Sequence, residues 1–282
     1  MPFELSVNLE YMFHEAGERL EDRMAMAAAA GFSKVEVFTT ANRDVPSLKA
    51  ALAATGCELY ATVTDPRIQL VIEAQHDAFR EMFAKAAAEA AELGARFIVV
   101  PSGSAVPYMK RPVQLAIVAK AIASVVPVAE AHGLTTLLEP VNTRVDHPGV
   151  LFGMTEDAVA VIEQVGSDRV RLLYDLYHSI TEREDPFAVL PKVAHLTAHI
   201  QIADAPGRGE PGSGGVDWPA MLGLIESVGC GSSSTIVPCP CASPISAFSG
   251  FVRFTSNVSE ASMLVSPFAT TVTVLLVSPG AK

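Results

Sequence analysis

Between Phe3 and Gly229 short apolar runs alternate with longer Ala-rich amphipathic ones, and no two apolar runs are joined by a hairpin turn. A helix inserted after each strand returns the chain to the same end of the sheet, so the strands must run parallel. Strands are predicted at Phe3 to Leu9, Lys34 to Phe38, Glu58 to Val63, Arg96 to Val100, Leu134 to Glu139, Val170 to Asp175 and Leu196 to Gln201. The run Arg96 to Val100 is apolar throughout, as a strand covered on both faces should be. Helices are predicted at Glu18 to Ala30, Pro46 to Ala54, His76 to Leu93, Pro112 to His132 and Trp218 to Ser227, with another opened by a cap-like Thr155. Gly31 and Gly94 close two of these helices, and Pro127 should bend or split the long one. Seven strands of this kind, with one more to find, make an α/β chain of the (β/α)8 TIM barrel type. A doubly wound open sheet would want a glycine-rich phosphate turn after the first strand, and Asn8-Leu9-Glu10-Tyr11 supplies none.

The rhythm stops near Gly231. From there to Lys282 the charged residues are Arg253, Glu260 and Lys282 alone, in a chain whose net charge is -11. The expected organisation is therefore a barrel over 1–229 and an aberrant C-terminal tail over 230–282, with the eighth strand aberrant or missing. If that strand is absent, the first and seventh strands are left with unpaired edges. Thr270 to Val277 has the β-propensity to fill the gap but carries no carboxylate.

The remaining composition narrows the partners. Half of the residues are hydrophobic, enough for a full core. The acidic balance and the lack of a Lys/Arg stripe argue against nucleic acid and anionic membranes. No secretory leader is visible at Met1-Pro2-Phe3-Glu4, and no uninterrupted apolar run reaches bilayer-spanning length. Cys57 stands alone, and Cys230, Cys239 and Cys241 lack the CxxC pairs or nearby His of a zinc site, so a reducing, cytoplasmic setting is expected. Self-association into a homo-oligomer is left open.

Barrel enzymes place their chemistry at the C-terminal ends of strands. Here three successive strands end in an oxygen donor: Glu139 in Leu-Glu-Pro, Asp175 in Tyr-Asp-Leu-Tyr-His, and Gln201 in His-Ile-Gln-Ile-Ala-Asp. Hard divalent cations such as Mg²⁺ or Mn²⁺ take oxygen donors, and barrel curvature can bring neighbouring strand ends to one point. Each residue also has a plainer reading. Glu139 could be a solvated carboxylate, Asp175 a helix cap, and Gln201 and His199 hydrogen-bonded polar groups at the barrel mouth. The repetition at one position favours a metal site.

These motifs, with Pro-Gly-Arg-x-Glu-Pro-Gly at 206–212 and Gly31-Phe32-x-x-Val35-Glu36, resemble the hydroxypyruvate isomerases of the xylose isomerase-like barrel superfamily from about Phe3 to Gly229. Relatives acting on sugars usually carry a His where Gln201 stands. The resemblance implies a divalent metal held by Glu139, Asp175, Gln201 and a second Glu from strand eight. It implies that His178 and Arg208 bind the oxygens of a small hydroxy-oxo acid substrate, and that Glu139 is catalytic. The reaction implied is the interconversion of hydroxypyruvate and tartronate semialdehyde. His178 could instead orient the metal ligands, and Arg208 could be a surface loop arginine. The loop Gly207 to Gly215 reads as a mobile lid. A sugar or inositol-type epimerase, isomerase or dehydratase on the same barrel, or a non-catalytic damaged barrel, are the competing functions. DNA-repair endonucleases of this fold would need more His ligands and a basic groove.

Where the family pattern wants Gly-x-x-Glu-Tyr, this chain has Gly231-Ser232-Ser233-Ser234-Thr235-Ile236-Val237-Pro238. With one choice of synonymous codons, the frame one base earlier reads Val-Val-Glu-Tyr-Asp-Arg-Pro. A frameshift is thus the expected origin of the tail, and impaired activity its expected result. Codons around 231 that yield no Glu-Tyr in another frame would end that idea.

Overall fold

The computed structural model describes residues 4–64, 68–229 and 234–236. Eight parallel strands close into a barrel in chain order: β1 (Glu4–Asn8), β2 (Lys34–Glu36), β3 (Glu58–Val63), β4 (Phe97–Val100), β5 (Thr135–Leu138), β6 (Val170–Asp175), β7 (Thr197–Gln201) and β8 (Ser234–Ile236). The outer shell is α1 (Leu20–Ala29), α2 (Val45–Thr55), α3 (His76–Glu92), α4 (Arg111–Ala131), α5 (Thr155–Val165), α6 (Leu176–Glu182), α7 (Pro186–Val193) and α8 (Trp218–Ser227).

The two-residue period of the strands decides what faces the axis. On β4, Phe97 and Val99 pack with Tyr60, Leu137 and Leu173 inside the cylinder. Ile98 and Val100 pack outward with Leu138, Leu172, Tyr174 and the helices. Helix α4 is long and apolar enough by length and composition to cross a membrane. Its Val118, Ala121, Ile122, Val125 and Ala129 are buried in this outer core, however, as in any helix of a barrel shell.

The eighth strand is aberrant, with three residues and no carboxylate. Its backbone nonetheless pairs in parallel with β1 through Leu5 and Thr235, and with β7 through Gln201 and Ile236. Neither neighbour is left with a bare edge, because ladder hydrogen bonds need only extended backbone. Residues 270–277, the other filler suggested by the sequence, lie outside the described residues.

Three local expectations are corrected. Of the two outcomes expected at Pro127, a split does not occur: α4 runs from Arg111 to Ala131 with Pro127 inside it. Thr155 is the first residue of α5 rather than its cap; Asp157 in the first turn accepts the Met154 N–H at 2.9 Å. The stretch after β6 holds two short helices that the apolar pattern did not reveal. Arg183 breaks them apart with a left-handed φ of 74°, and Asp185 caps the second ahead of Pro186.

Candidate active site

The inner apolar layer fixes the site above it. Glu139 follows Leu137 by two residues, Asp175 follows Leu173 by two, and Gln201 follows the buried His199 by two. All three therefore belong to the inward-facing set at the C-terminal mouth. Strand pairing sets Gln201 directly beside Asp175. Glu139, Asp175 and His178 each offer a ligand atom, all within 4.8 Å of one another.

Asp175 divides its two oxygens. Oδ1 accepts the His178 backbone N–H at 3.0 Å and so caps α6. Oδ2 is buried with no hydrogen-bond partner among the described residues. The helix-cap reading and the ligand reading thus concern different atoms. A buried carboxylate oxygen left bare is costly, and it lies 3.8 Å from both His178 Nε2 and Arg208 Nη2. An anionic oxygen without a donor, beside a second carboxylate and an imidazole, is a donor set that suits a small divalent cation.

Glu139 sits at the rim with its side chain 18% exposed, 3.9 Å from His178 Nε2. Burial, and then the charge of Asp175, push its carboxyl up to about 8. Burial drives His178 the other way, down to about 4. Its tautomer follows from Asn142. The Asn142 Oδ1 accepts the Val145 and Asp146 N–H groups at 3.0 Å each, so its amide nitrogen must face His178. That nitrogen and the Asn142 backbone N–H reach His178 Nδ1 at 2.6 and 3.2 Å. Nδ1 is therefore the acceptor, and the proton of the neutral ring is on Nε2, directed at Glu139 and Asp175. Arg208 Nη2, 3.1 Å from the same Nε2, is then a close neighbour and not a second hydrogen bond.

Arg208 lies in the β7–α8 connection and leans into the mouth, its side chain 20% exposed. Its guanidinium carbon is 5.3 Å from the Tyr11 ring centroid and 5.1 Å from that of Tyr177. The expected lid is tied down at its base. Asp204 is fully buried and accepts from the backbone N–H of Ala205, Gly212 and Val216 at 2.8, 2.6 and 3.2 Å, and from Trp218 Nε1 at 2.7 Å. Gly214 passes so close that a Cβ there would stand 2.4 Å from Asp204 Oδ1.

Lower in the cylinder, Ser6 Oγ donates to Glu36 Oε1 at 2.5 Å, and His199 Nε2 lies 3.0 Å from the same oxygen. Glu36 closes the Gly-Phe-x-x-Val-Glu signature, and its place on the axis was legible only as part of that motif. Tyr177 and Asp204 fall inside the quoted motifs, but the contact of Tyr11 and Tyr177 with Arg208 and the anchoring by Asp204 had no local signal, since each depends on the path of the loop that carries Arg208. Arg144, just past β5, donates from Nε to the Glu182 backbone carbonyl at 3.1 Å and lies 3.6 Å from the Glu182 carboxylate.

A family model described as xylose isomerase-like TIM barrel matches residues 24–239. The 2-oxo-tetronate isomerase of Cupriavidus necator is 29% identical over 79% of this chain and 88% of its own length. The hydroxypyruvate isomerase of Escherichia coli is 28% identical over 80% of this chain and 91% of its own. Among solved structures, that of AP endonuclease, family 2 from Brucella melitensis superposes with a TM-score of 0.78 at 25% identity. It covers 84% of this chain and 93% of that one.

Proposed function

Since the chain belongs to the xylose isomerase-like TIM barrel family and its relatives mark it as an enzyme of the isomerase kind, we propose that it interconverts hydroxypyruvate and tartronate semialdehyde. The observation that carries this reading is the cluster of Glu139, Asp175 and His178 around an unpartnered Asp175 oxygen at the barrel mouth. Glu139, Asp175 and Gln201 would hold a divalent cation, Mg²⁺ or Mn²⁺, with His178 beside them. Such an ion, when bound, stabilises negative charge developing on the substrate's neighbouring oxygens.

The chain's own residues do the rest. Arg208 pairs with the substrate carboxylate through its fork. Glu139 takes the proton from the hydroxymethyl carbon, leaving an enediolate, and returns it to the adjacent carbon that was the ketone. The oxygens exchange their proton as the carbonyl moves, and the Nε2–H of His178 is placed to hold that proton at the former ketone oxygen. The product has the same atoms, with an aldehyde at one end and a secondary alcohol next to the carboxylate. A 2-oxo-tetronate presents the same carboxylate, ketone and hydroxyl with one further carbon, so it belongs in the same substrate class.

Strand β8 offers Ser234, Thr235 and Ile236, and no second carboxylate. Glu139 therefore has to act as both acid and base, and turnover is expected to be very low. The test is a Mn²⁺ titration followed by assays on hydroxypyruvate, 2-oxo-tetronate and a panel of ketoses. The reading expects slow, metal-dependent isomerisation of the two acids, lost in Glu139→Gln. Faster turnover of neutral ketoses would replace it with an epimerase, and failure to bind the metal would leave a non-catalytic barrel.

A further inference from the structure

We infer that Tyr11 and Tyr177 are specificity-determining positioning residues: their rings clamp the Arg208 guanidinium so that its fork meets a planar carboxylate, and the site prefers acids to neutral ketoses. The inference rests on the reading of Arg208 given above.

The three residues come from separate parts of the chain. Tyr11 follows β1, Tyr177 lies in the first turn of α6, and Arg208 stands in the β7–α8 connection. Ring centroids at 5.3 and 5.1 Å from one guanidinium carbon are within cation–π range. The Arg208 Nε is buried without a hydrogen-bond partner among the described residues, and Nη2 faces His178 and Asp175 across the site. Its one ion-pair contact among these residues, Asp175 Oδ2 at 3.8 Å from Nη2, is too long for a hydrogen bond, so the rings make the close contacts and Nε stays available to an incoming anion. An arginine in a close bidentate pair with a protein carboxylate would already have committed its N–H groups.

The backbone supports the same pose. Arg208 adopts a left-handed φ of 53°, uncommon for a residue with a Cβ. The loop beneath it is fastened by Asp204. A free arginine would lose much rotamer freedom on gripping a substrate, whereas one already clamped loses little. The two rings differ in a way that helps a test. Tyr177 is buried, while Tyr11 is partly exposed at the mouth. Tyr11 can therefore be altered with little risk to the fold.

The experiment titrates the full chain, with saturating Mn²⁺, with glycerate, a hydroxy acid that has no carbonyl to isomerise, and with glycerol as its neutral counterpart. Calorimetry reads the affinity, so the result does not depend on turnover. Tyr11→Leu should weaken glycerate binding about tenfold, and Tyr11→Phe, which keeps the ring, by no more than about twofold. Glycerol binding should be indifferent to both. If Tyr11→Leu does not fold, Tyr11→Met takes its place.

Unchanged glycerate affinity in Tyr11→Leu, with Arg208→Ala losing it, overturns the clamp and leaves the isomerase reading intact. Equal losses in Tyr11→Phe and Tyr11→Leu assign the effect to the hydroxyl and overturn it as well. Unchanged affinity in Arg208→Ala, or no affinity for glycerate in the unaltered chain, overturns both the clamp and the carboxylate role of Arg208.

Discussion

Replacing Asp204 by asparagine tests whether one buried carboxylate secures the loop that carries Arg208. Asp204 has no solvent exposure and receives two donors at each oxygen: Ala205 and Val216 at Oδ1, and Gly212 and the Trp218 indole at Oδ2. Asparagine is the same size but has one acceptor atom, so two of the four donors must face an NH₂ group instead. A hydrogen bond to a charged group contributes about 1.5–3 kcal/mol, which puts the loss of two at about 3 kcal/mol or more. For a chain of this size that corresponds to a fall in Tm of about 6–12 °C. Trp218 is the only tryptophan, so its emission reports on the anchor itself. Urea unfolding of Asp204→Asn, followed by Trp218 fluorescence and by far-ultraviolet circular dichroism, measures both quantities. A loss below about 1 kcal/mol with an unshifted emission maximum would refute the argument, because it would mean that the loop is held by its other backbone bonds.

Two further outcomes follow from the titrating groups. His178 is held neutral, down to about 4 against an ordinary 6.5, so the unfolded chain takes up its proton first. Its contribution to stability is complete above about pH 6.5 and is lost as pH falls through 4, visible as a drop in urea midpoint that His178→Asn should lack. Glu139, raised to about 8 from 4.5, has the opposite sign: its contribution is complete below pH 4.5 and fades as pH rises towards 8 in metal-free protein. Binding of Mn²⁺ at pH 7 should accordingly release close to one proton, read by calorimetry in buffers of different ionisation enthalpy. Metal binding with no proton release would contradict the protonated state assigned to Glu139.

The barrel was legible because parallel strands and helices leave two different periods in the sequence, and β3 to β7 came out within a residue or two of prediction. Helices α6 and α7 were not, since each is too short to show a helical period and the second carries Pro191 within it, which reads as a breaker in sequence. The strand-end donors could be read because position relative to a strand is a local property, and the inner layer of Leu137 and Leu173 carries that position to one mouth. That one Asp175 oxygen caps α6 while the other is left without a partner among the described residues could not be read, because sequence does not assign the two atoms of a carboxylate. Glycine-rich composition suggested freedom at 207–215. The folded chain adds that buried Asp204 accepts from Ala205, Gly212, Val216 and Trp218 around that loop, a set of contacts that composition does not reveal.

The three residues of β8 show how little a barrel asks of its last stave. A main chain in the extended conformation, offering its amides and carbonyls to β1 and β7, completes the wall whatever its side chains are. Shape and chemistry can therefore part company at this strand. Among the described residues, β8 closes the wall by its backbone alone, whatever chemistry its side chains would or would not supply.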